Sequence, residues 1–243
     1  MKLPFGAAIN AWKVRNALPY EQQVRLDKLR IRLDFQAAQP HWQRRAALSI
    51  ARFVAFDCET TGPDMHRDRL ISLGAVAVRG RAVRHDDAFE AVVRQAQSSS
   101  HDNILIHRIG GQEQLAGRPL TLTLMDWLEW CADSVLIAFR AEFDETVLTR
   151  EVNTTLGMPQ QAIVLDLAAL LPALFPGMQN DSLDDWVAHF GLPPIGRHQA
   201  IADAYANAQL MLLVLEQAER NGLRDVGELV DMERAQRWLG KRH

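Results

Sequence analysis

Asp57 and Glu59 stand at the end of the apolar run Phe53-Val54-Ala55-Phe56. Such a run reads as a buried strand. Side chains on a strand alternate between faces, so both carboxylates project from one face while Cys58 points to the other. Two carboxylates held this close repel each other unless something positive sits between them. A divalent cation meets that need, and hard oxygen donors suit Mg²⁺ or Mn²⁺. Thr60-Thr61-Gly62-Pro63 then breaks the strand in a turn, which leaves the acids at an edge that a substrate can reach. Two further segments carry related groups. Phe143-Asp144 places a carboxylate at a strand-to-helix junction, and His198 precedes Asp203 by five residues at the start of the last long helix.

These residues need a scaffold, and the rest of the chain supplies one. Leu70 to Val78 reads as a second strand, Arg79-Gly80-Arg81 as a turn, and Ala82 to Arg94 as a third strand kinked at Asp86-Asp87. Three strands in succession imply an antiparallel meander. The Gln/Ser/His-rich segment 95–103 reads as a loop and Gly110-Gly111 as a turn. Leu120, Leu124, Trp127, Leu128 and Cys131 follow helical spacing. Ser134–Phe139 is then a strand, Glu142–Asn153 a helix stopped by Gly157 and Pro159, and Ile163–Asp166 a short strand followed by a helix to Leu174. Ser182 with Asp185 forms a capping box, and the last long helix runs from Gln199 to Arg220. Strands followed by alternating helices and strands define an α/β fold, a mixed sheet flanked by helices. Trp127, Trp130 and Trp186 fall on apolar helix faces and are expected in the core, and Asp166 is expected to be structural.

The chain has 243 residues, 48% hydrophobic and 23% charged, a globular composition that excludes wholesale disorder. Two cysteines are too few for a disulfide framework and fit a reducing compartment. No apolar run approaches the roughly 18 residues of a membrane helix. Pro4, Gly6 and Asn10 break the first apolar stretch, unlike a signal peptide, so a cytoplasmic protein is expected. The formal net charge of −3 hides an asymmetry. Residues 1–52 carry Lys2, Lys13, Arg15, Arg25, Lys28, Arg30, Arg32, Arg44, Arg45 and Arg52 against Glu21, Asp27 and Asp34. Within this arm Tyr20–Gln36 reads as a helix with Leu26, Leu29 and Leu33 on one face. The expected division is a basic N-terminal extension over 1–50, a catalytic domain over 51–222 and a C-terminal tail over 223–243. The arm suits either phosphate binding or docking and packing.

From about residue 53 to residue 215 the chain resembles the DEDDh 3′→5′ exonucleases, the group that includes the proofreading subunit of bacterial DNA polymerase III. The first motif matches in Asp57-Cys58-Glu59-Thr60-Thr61-Gly62, the second in Phe143-Asp144 and the third in His198 and Asp203. Leu70 to Val76 and Ile106-His107-Arg108-Ile109 are also similar to family features. The resemblance implies a ribonuclease-H-like fold and two divalent cations, Mg²⁺ or Mn²⁺, held by Asp57, Glu59, Asp144 and Asp203. It further implies that His198 accepts the proton of the attacking water and that Thr60 and Thr61 contact the terminal nucleotide. The implied substrate is a single-stranded 3′ end, DNA favoured over RNA, shortened with release of nucleoside monophosphates. A polymerase or other protein partner is implied as well. An exonuclease that trims RNA with the same site, or a non-catalytic nucleic-acid or polymerase adaptor, are the alternatives. The chain departs from the family in having Phe139-Arg140 where a His-Asn pair is common. Arg140 there would bind a phosphate or pair with Glu142.

Overall fold

The computed structural model describes residues 12–37, 43–158, 162–178, 181–193 and 196–240. Its centre is a five-stranded sheet of β1 (Phe53–Thr60), β2 (Leu70–Arg79), β3 (Ala82–Val92), β4 (Val135–Ala138) and β5 (Val164–Asp166). The spatial order is β3-β2-β1-β4-β5. β1, β2 and β3 form the antiparallel meander, and β4 and β5 continue the sheet in parallel. Parallel neighbours require crossovers, and helices provide them. After a helical stretch over residues 12–17, the helices of the described chain are α1 (Tyr20–Ala37), α2 (His101–His107), α3 (Gly111–Ala116), α4 (Leu120–Trp130), α5 (Glu142–Leu156), α6 (Leu167–Leu174), α7 (Leu183–His189), α8 (Ala200–Arg220) and α9 (Val226–Gly240).

β1 is the central strand, and its alternation divides the core in two. Phe53 and Ala55 pack with Val76, Ile137, Leu210, Met211 and Val214 on the α8 side. Val54, Phe56 and Cys58 pack with Leu26, Leu124, Trp127, Val147 and Leu148 on the side of α1, α4 and α5. Asp57 and Glu59 share the parity of Phe53 and Ala55, so they prolong an apolar row on the α8 face. Trp127 and Trp186 are fully buried, while half-buried Trp130 takes the Arg52 guanidinium over its ring at 4.6 Å. The kink expected at Asp86-Asp87 is a register shift between β2 and β3 opposite Val76 and Ala77.

Some local expectations needed correction. Segment 95–103 is not all loop, because Ser100 caps α2 by accepting from Asn103 N, and the helix begins at His101. The helix that begins at Glu142 runs on to Leu156 and stops where Gly157 adopts φ +63°. The Ser182–Asp185 capping box is present in full at the start of α7.

The two termini of the described chain close onto the sheet domain. Leu26 and Leu29 of α1 are buried in the same cluster as Trp127. Four of the arm's arginines meet acids: Arg15 pairs with Asp27 at 2.6 Å, Arg25 with Asp126 and Glu129 at 2.5 Å, Arg44 with Asp231 at 2.7 Å and Arg52 with Asp87 at 2.8 Å, while Arg30 and Arg32 donate to the backbone carbonyls of Leu156 and Leu128. Lys2 lies outside the described residues. Residues 223–243, expected as a tail, contain α9, whose Val226, Leu229 and Val230 enter the α8-side core. Among the described residues no helix is long and apolar enough to cross a membrane. If α1 is a packing element, Leu29→Ala should destabilise the protein by about 2–5 kcal/mol, as deletion of a buried leucine side chain does. Chemical denaturation will read this, and a loss under 0.5 kcal/mol would show that α1 is only loosely attached.

Candidate active site

Each acid reaches the site by its own route. Asp57 and Glu59 come from the end of β1, beyond the Phe53–Ala55 stretch that pairs with β4. Past that stretch the Cys58 N–H has no strand partner. The Asp144 carboxylate takes its place and accepts from Cys58 N at 2.9 Å. Asp144 lies in the first turn of α5, where unpaired N–H groups favour a negative charge. Asp203 lies in the first turn of α8. That turn sits directly on the sheet at Gly74, the residue paired with Asp57 across β2. A Cβ on Gly74 would fall 2.2 Å from Ile201 N and 2.3 Å from Ala200 C, so only glycine permits this approach. One turn further along, Asn207 Nδ2 donates to Phe56 O at 3.3 Å, fastening α8 to β1.

The outcome is a tight cluster. Ligand oxygens of Asp57, Glu59 and Asp203 all lie within 4.8 Å of one another. Asp144 stands outside that trio but lines the same cleft of about 330 Å³, together with His198, Arg197 and Arg140. His198 is exposed and holds a left-handed backbone, φ +58°, fixed by its N–H donating to Asp203 Oδ2 at 3.0 Å. Such a conformation in a non-glycine residue costs of order 1–3 kcal/mol, so Asp203 both joins the cluster and secures the imidazole-bearing turn.

Electrostatics record how tightly the acids are packed. Desolvation, with repulsion from Asp144, Asp203 and Glu59, raises Asp57 well above the usual carboxylate range. Burial, reinforced by Asp203 and Asp144, pushes Glu59 up to about 7. Burial also takes Asp144 to about 7, against the opposing effect of the Cys58 N–H. Asp203 rises through desolvation despite the Arg197 guanidinium and the His198 N–H beside it. A desolvated, oxygen-only, mutually repelling donor set fits a hard divalent cation. Asp57, Glu59 and Asp203 are therefore the residues that could hold one, with Asp144 beside them.

The remaining predicted positions have other surroundings. Thr60 is buried and its hydroxyl donates to Gly62 O at 2.6 Å, while Thr61 Oγ1 donates to Asp68 Oδ1 at 2.8 Å. Both hydroxyls brace the 61–69 loop. Arg140 does not pair with Glu142. Its Nη2 donates to Asp181 O at 2.7 Å and its N–H to Asp166 Oδ1 at 2.9 Å. Asp166 also caps α6 and meets Arg237, the structural part expected of it. Sequence reasoning gave no role to Arg197, which pairs with Asp203 and, at 2.6 Å, with Asp184. Its position beside His198 in an acid-rich motif was the available signal.

The exonuclease family model RNase_T matches residues 54–211. The PolC-type DNA polymerase III of Thermotoga maritima is 30% identical over 180 residues, 74% of this chain but only 13% of that protein. DNA polymerase III subunit epsilon of Treponema pallidum is 28% identical over 174 residues, 70% of this chain and 80% of that one. Among solved structures, E. coli Exonuclease I in complex with a dT13 oligonucleotide superimposes with a TM-score of 0.60 at 19% identity, covering 70% of this chain and 42% of that one. Cell-death related nuclease 4 does so with 0.58 at 13% identity, covering 69% and 64%. At such identities the two solved structures share the fold.

Because glycine alone allows α8 to sit on β2, Gly74→Ala should displace the first turn of α8 and with it Asp203 and His198. Overpacking of this kind costs about 1–3 kcal/mol. Melting temperature and Mn²⁺ affinity should fall together. A variant that keeps both would show that α8 can shift without disturbing the cluster.

Proposed function

Since the chain belongs to the exonuclease family, we propose that it is a metal-dependent 3′→5′ exonuclease that shortens single-stranded DNA from its 3′ end and releases nucleoside monophosphates. The observation that carries this reading is the Asp57, Glu59 and Asp203 trio within 4.8 Å, with Asp144 and His198 on the same cleft. Asp57, Glu59 and Asp203 would hold the divalent cations, Mg²⁺ or Mn²⁺, and Asp144 would complete the donor set from the end of α5. Bound there, such ions supply Lewis-acid stabilisation of the phosphate and the departing oxygen, and an ionised water at neutral pH.

The chain's own residues divide the remaining work. His198, exposed at the mouth of the cleft, takes the proton of the attacking water through its imidazole. Its backbone bond to Asp203 keeps that ring next to the carboxylates. Phe139 and Phe143 line the cleft and offer apolar surface to a terminal nucleotide. The loop braced by Thr60 and Thr61 contacts the same nucleotide from the β1 side. DNA is favoured as substrate because relatives are DNA polymerase III proteins and Exonuclease I was solved with a DNA oligonucleotide. The same relatives support association with a polymerase and a place in the cytoplasm.

Matched 5′-labelled DNA and RNA oligomers, incubated with Mg²⁺ or with EDTA, test the proposal. Stepwise shortening of DNA, faster than of RNA and abolished by EDTA, is expected. Cleavage at internal bonds, or activity that survives EDTA, would overturn it. Two variants sharpen the assignment. Asp57→Asn should eliminate activity and, by removing one repelling charge, melt no lower than wild type without metal. His198→Ala should slow turnover by roughly 10²–10⁴, the range for loss of a general base, with Mn²⁺ affinity unchanged. If His198→Ala instead turns over normally but binds Mn²⁺ poorly, His198 is a ligand.

A further inference from the structure

We propose that Arg197 is the resident counter-cation of the metal-free site: it holds Asp203 until a divalent ion takes that carboxylate, and then remains on Asp184, where its guanidinium meets the substrate phosphodiester. The inference rests on the metal-dependent nuclease reading and assigns a positioning and substrate-binding part to a residue outside the four-carboxylate set.

The argument starts from Asp203. Both of its oxygens are engaged, Oδ1 by the Arg197 guanidinium and Oδ2 by the His198 N–H at 3.0 Å. Asp203 is also one of the three acids whose ligand atoms converge within 4.8 Å. An incoming ion that draws on Asp203 therefore meets the positive charge of Arg197 at Oδ1, and the two cations repel, while the His198 bond is part of the backbone turn and cannot leave alone. Arg197 has somewhere to go. Its Nε already lies 2.6 Å from Asp184, whose side chain is 61% exposed, while the Asp203 side chain is 6% exposed. The guanidinium thus bridges a buried acid and a solvated one, and giving up the first leaves it anchored by the second.

Asp184 stands in the first turn of α7, whose start is fixed by the Ser182–Asp185 capping box. A guanidinium released from Asp203 keeps donor groups directed into the cleft that it lines. Planar forked N–H donors match phosphate oxygens, and a released guanidinium is less fully neutralised than one shared between two acids. Metal binding would in this way prepare the phosphate contact, and the metal-free enzyme would be spared an uncompensated cluster of negative charge.

Calorimetric titration of Mn²⁺ into metal-free wild type, Arg197→Gln, Arg197→Lys and Asp184→Asn tests this. Arg197→Gln should bind Mn²⁺ at least about threefold more tightly, the scale of one partly exposed ion pair, and should melt lower than wild type in EDTA. Arg197→Lys should stay near wild type in metal affinity. Asp184→Asn should shift the other way, to weaker Mn²⁺ binding, because the guanidinium then has Asp203 as its remaining acid. At saturating Mn²⁺ the KM of Arg197→Gln for single-stranded DNA should rise. A merely structural arginine would not produce opposite shifts in the two variants. Equal or weaker Mn²⁺ binding by Arg197→Gln, or tighter binding by Asp184→Asn, overturns the counter-cation role, and an unmoved KM overturns the phosphate contact. Absence of Mn²⁺ binding by wild type would instead overturn the metal-dependent reading itself.

Discussion

The close seat of α8 on β2 at Gly74 is the constraint on which the site depends. It brings a helix backbone to the level of the sheet, directly across the ladder from Asp57. Desolvation opposes gathering carboxylates in such a cleft, and the raised pKa values of Asp57, Glu59, Asp144 and Asp203 are the record of that opposition. The force that holds them there is apolar burial along the same helix. Ala204, Ala208, Leu210, Met211 and Val214 of α8 are fully buried, and small residues on its first turns let it approach before larger ones fill the space behind. The acids are thus pinned by packing next to them and not by mutual attraction. This is how a cluster of acids can be held in place without attraction among its members.

Two helix N-termini address the same cleft. Asp144 and Asp203 each sit in a first turn, where unpaired N–H groups supply partial positive charge. The shortness of β4 matters equally. Because it ends at Ala138, the end of β1 has one open edge, and Asp144 fills that edge by accepting from Cys58 N. Asp203 is likewise bonded, to the His198 N–H and Arg197, but the bond of Asp144 is made to the backbone of β1 itself. That bond explains why it lines the cleft yet stands apart from the trio of converging oxygens.

Much of this was legible from residue order. The parity of Phe53, Ala55, Asp57 and Glu59 on one strand predicts a shared face, and strand alternation leaves little room for another answer. The spacing of His198 and Asp203 likewise survives, since a helix start fixes which residues can turn back on the preceding loop. Other features could not be read locally. α2 is only seven residues long, too short to show a helical period, so Ser100 was its single clear signal. α9 carries charged residues among Val226, Leu229 and Val230, and only contact with α6 and the 3₁₀ turn at Gln43–Arg45 shows which face is buried. The partner of Arg197 was beyond reach for the same reason: Asp184 and Asp203 are separated by a turn and a helix start, and their approach is a product of the fold.

The charge asymmetry of the chain takes on a different meaning once its partners are known. A basic arm beside an acidic body suggests attraction of a polyanion, yet Arg25 is spent on Asp126 and Glu129, Arg44 on Asp231 and Arg52 on Asp87. Those charges act within the protein as clamps between α1, the segment before β1 and the sheet domain. Paired charges present small fields beyond a Debye length, so these arginines add little to long-range attraction of a polyanion. At the cleft itself, Arg140 and Arg197 stand among the carboxylates and can attract a phosphate at short range. If the cleft takes a strand end, as proposed, short-range contacts there suit a chain of net charge −3 better than a basic track along its length.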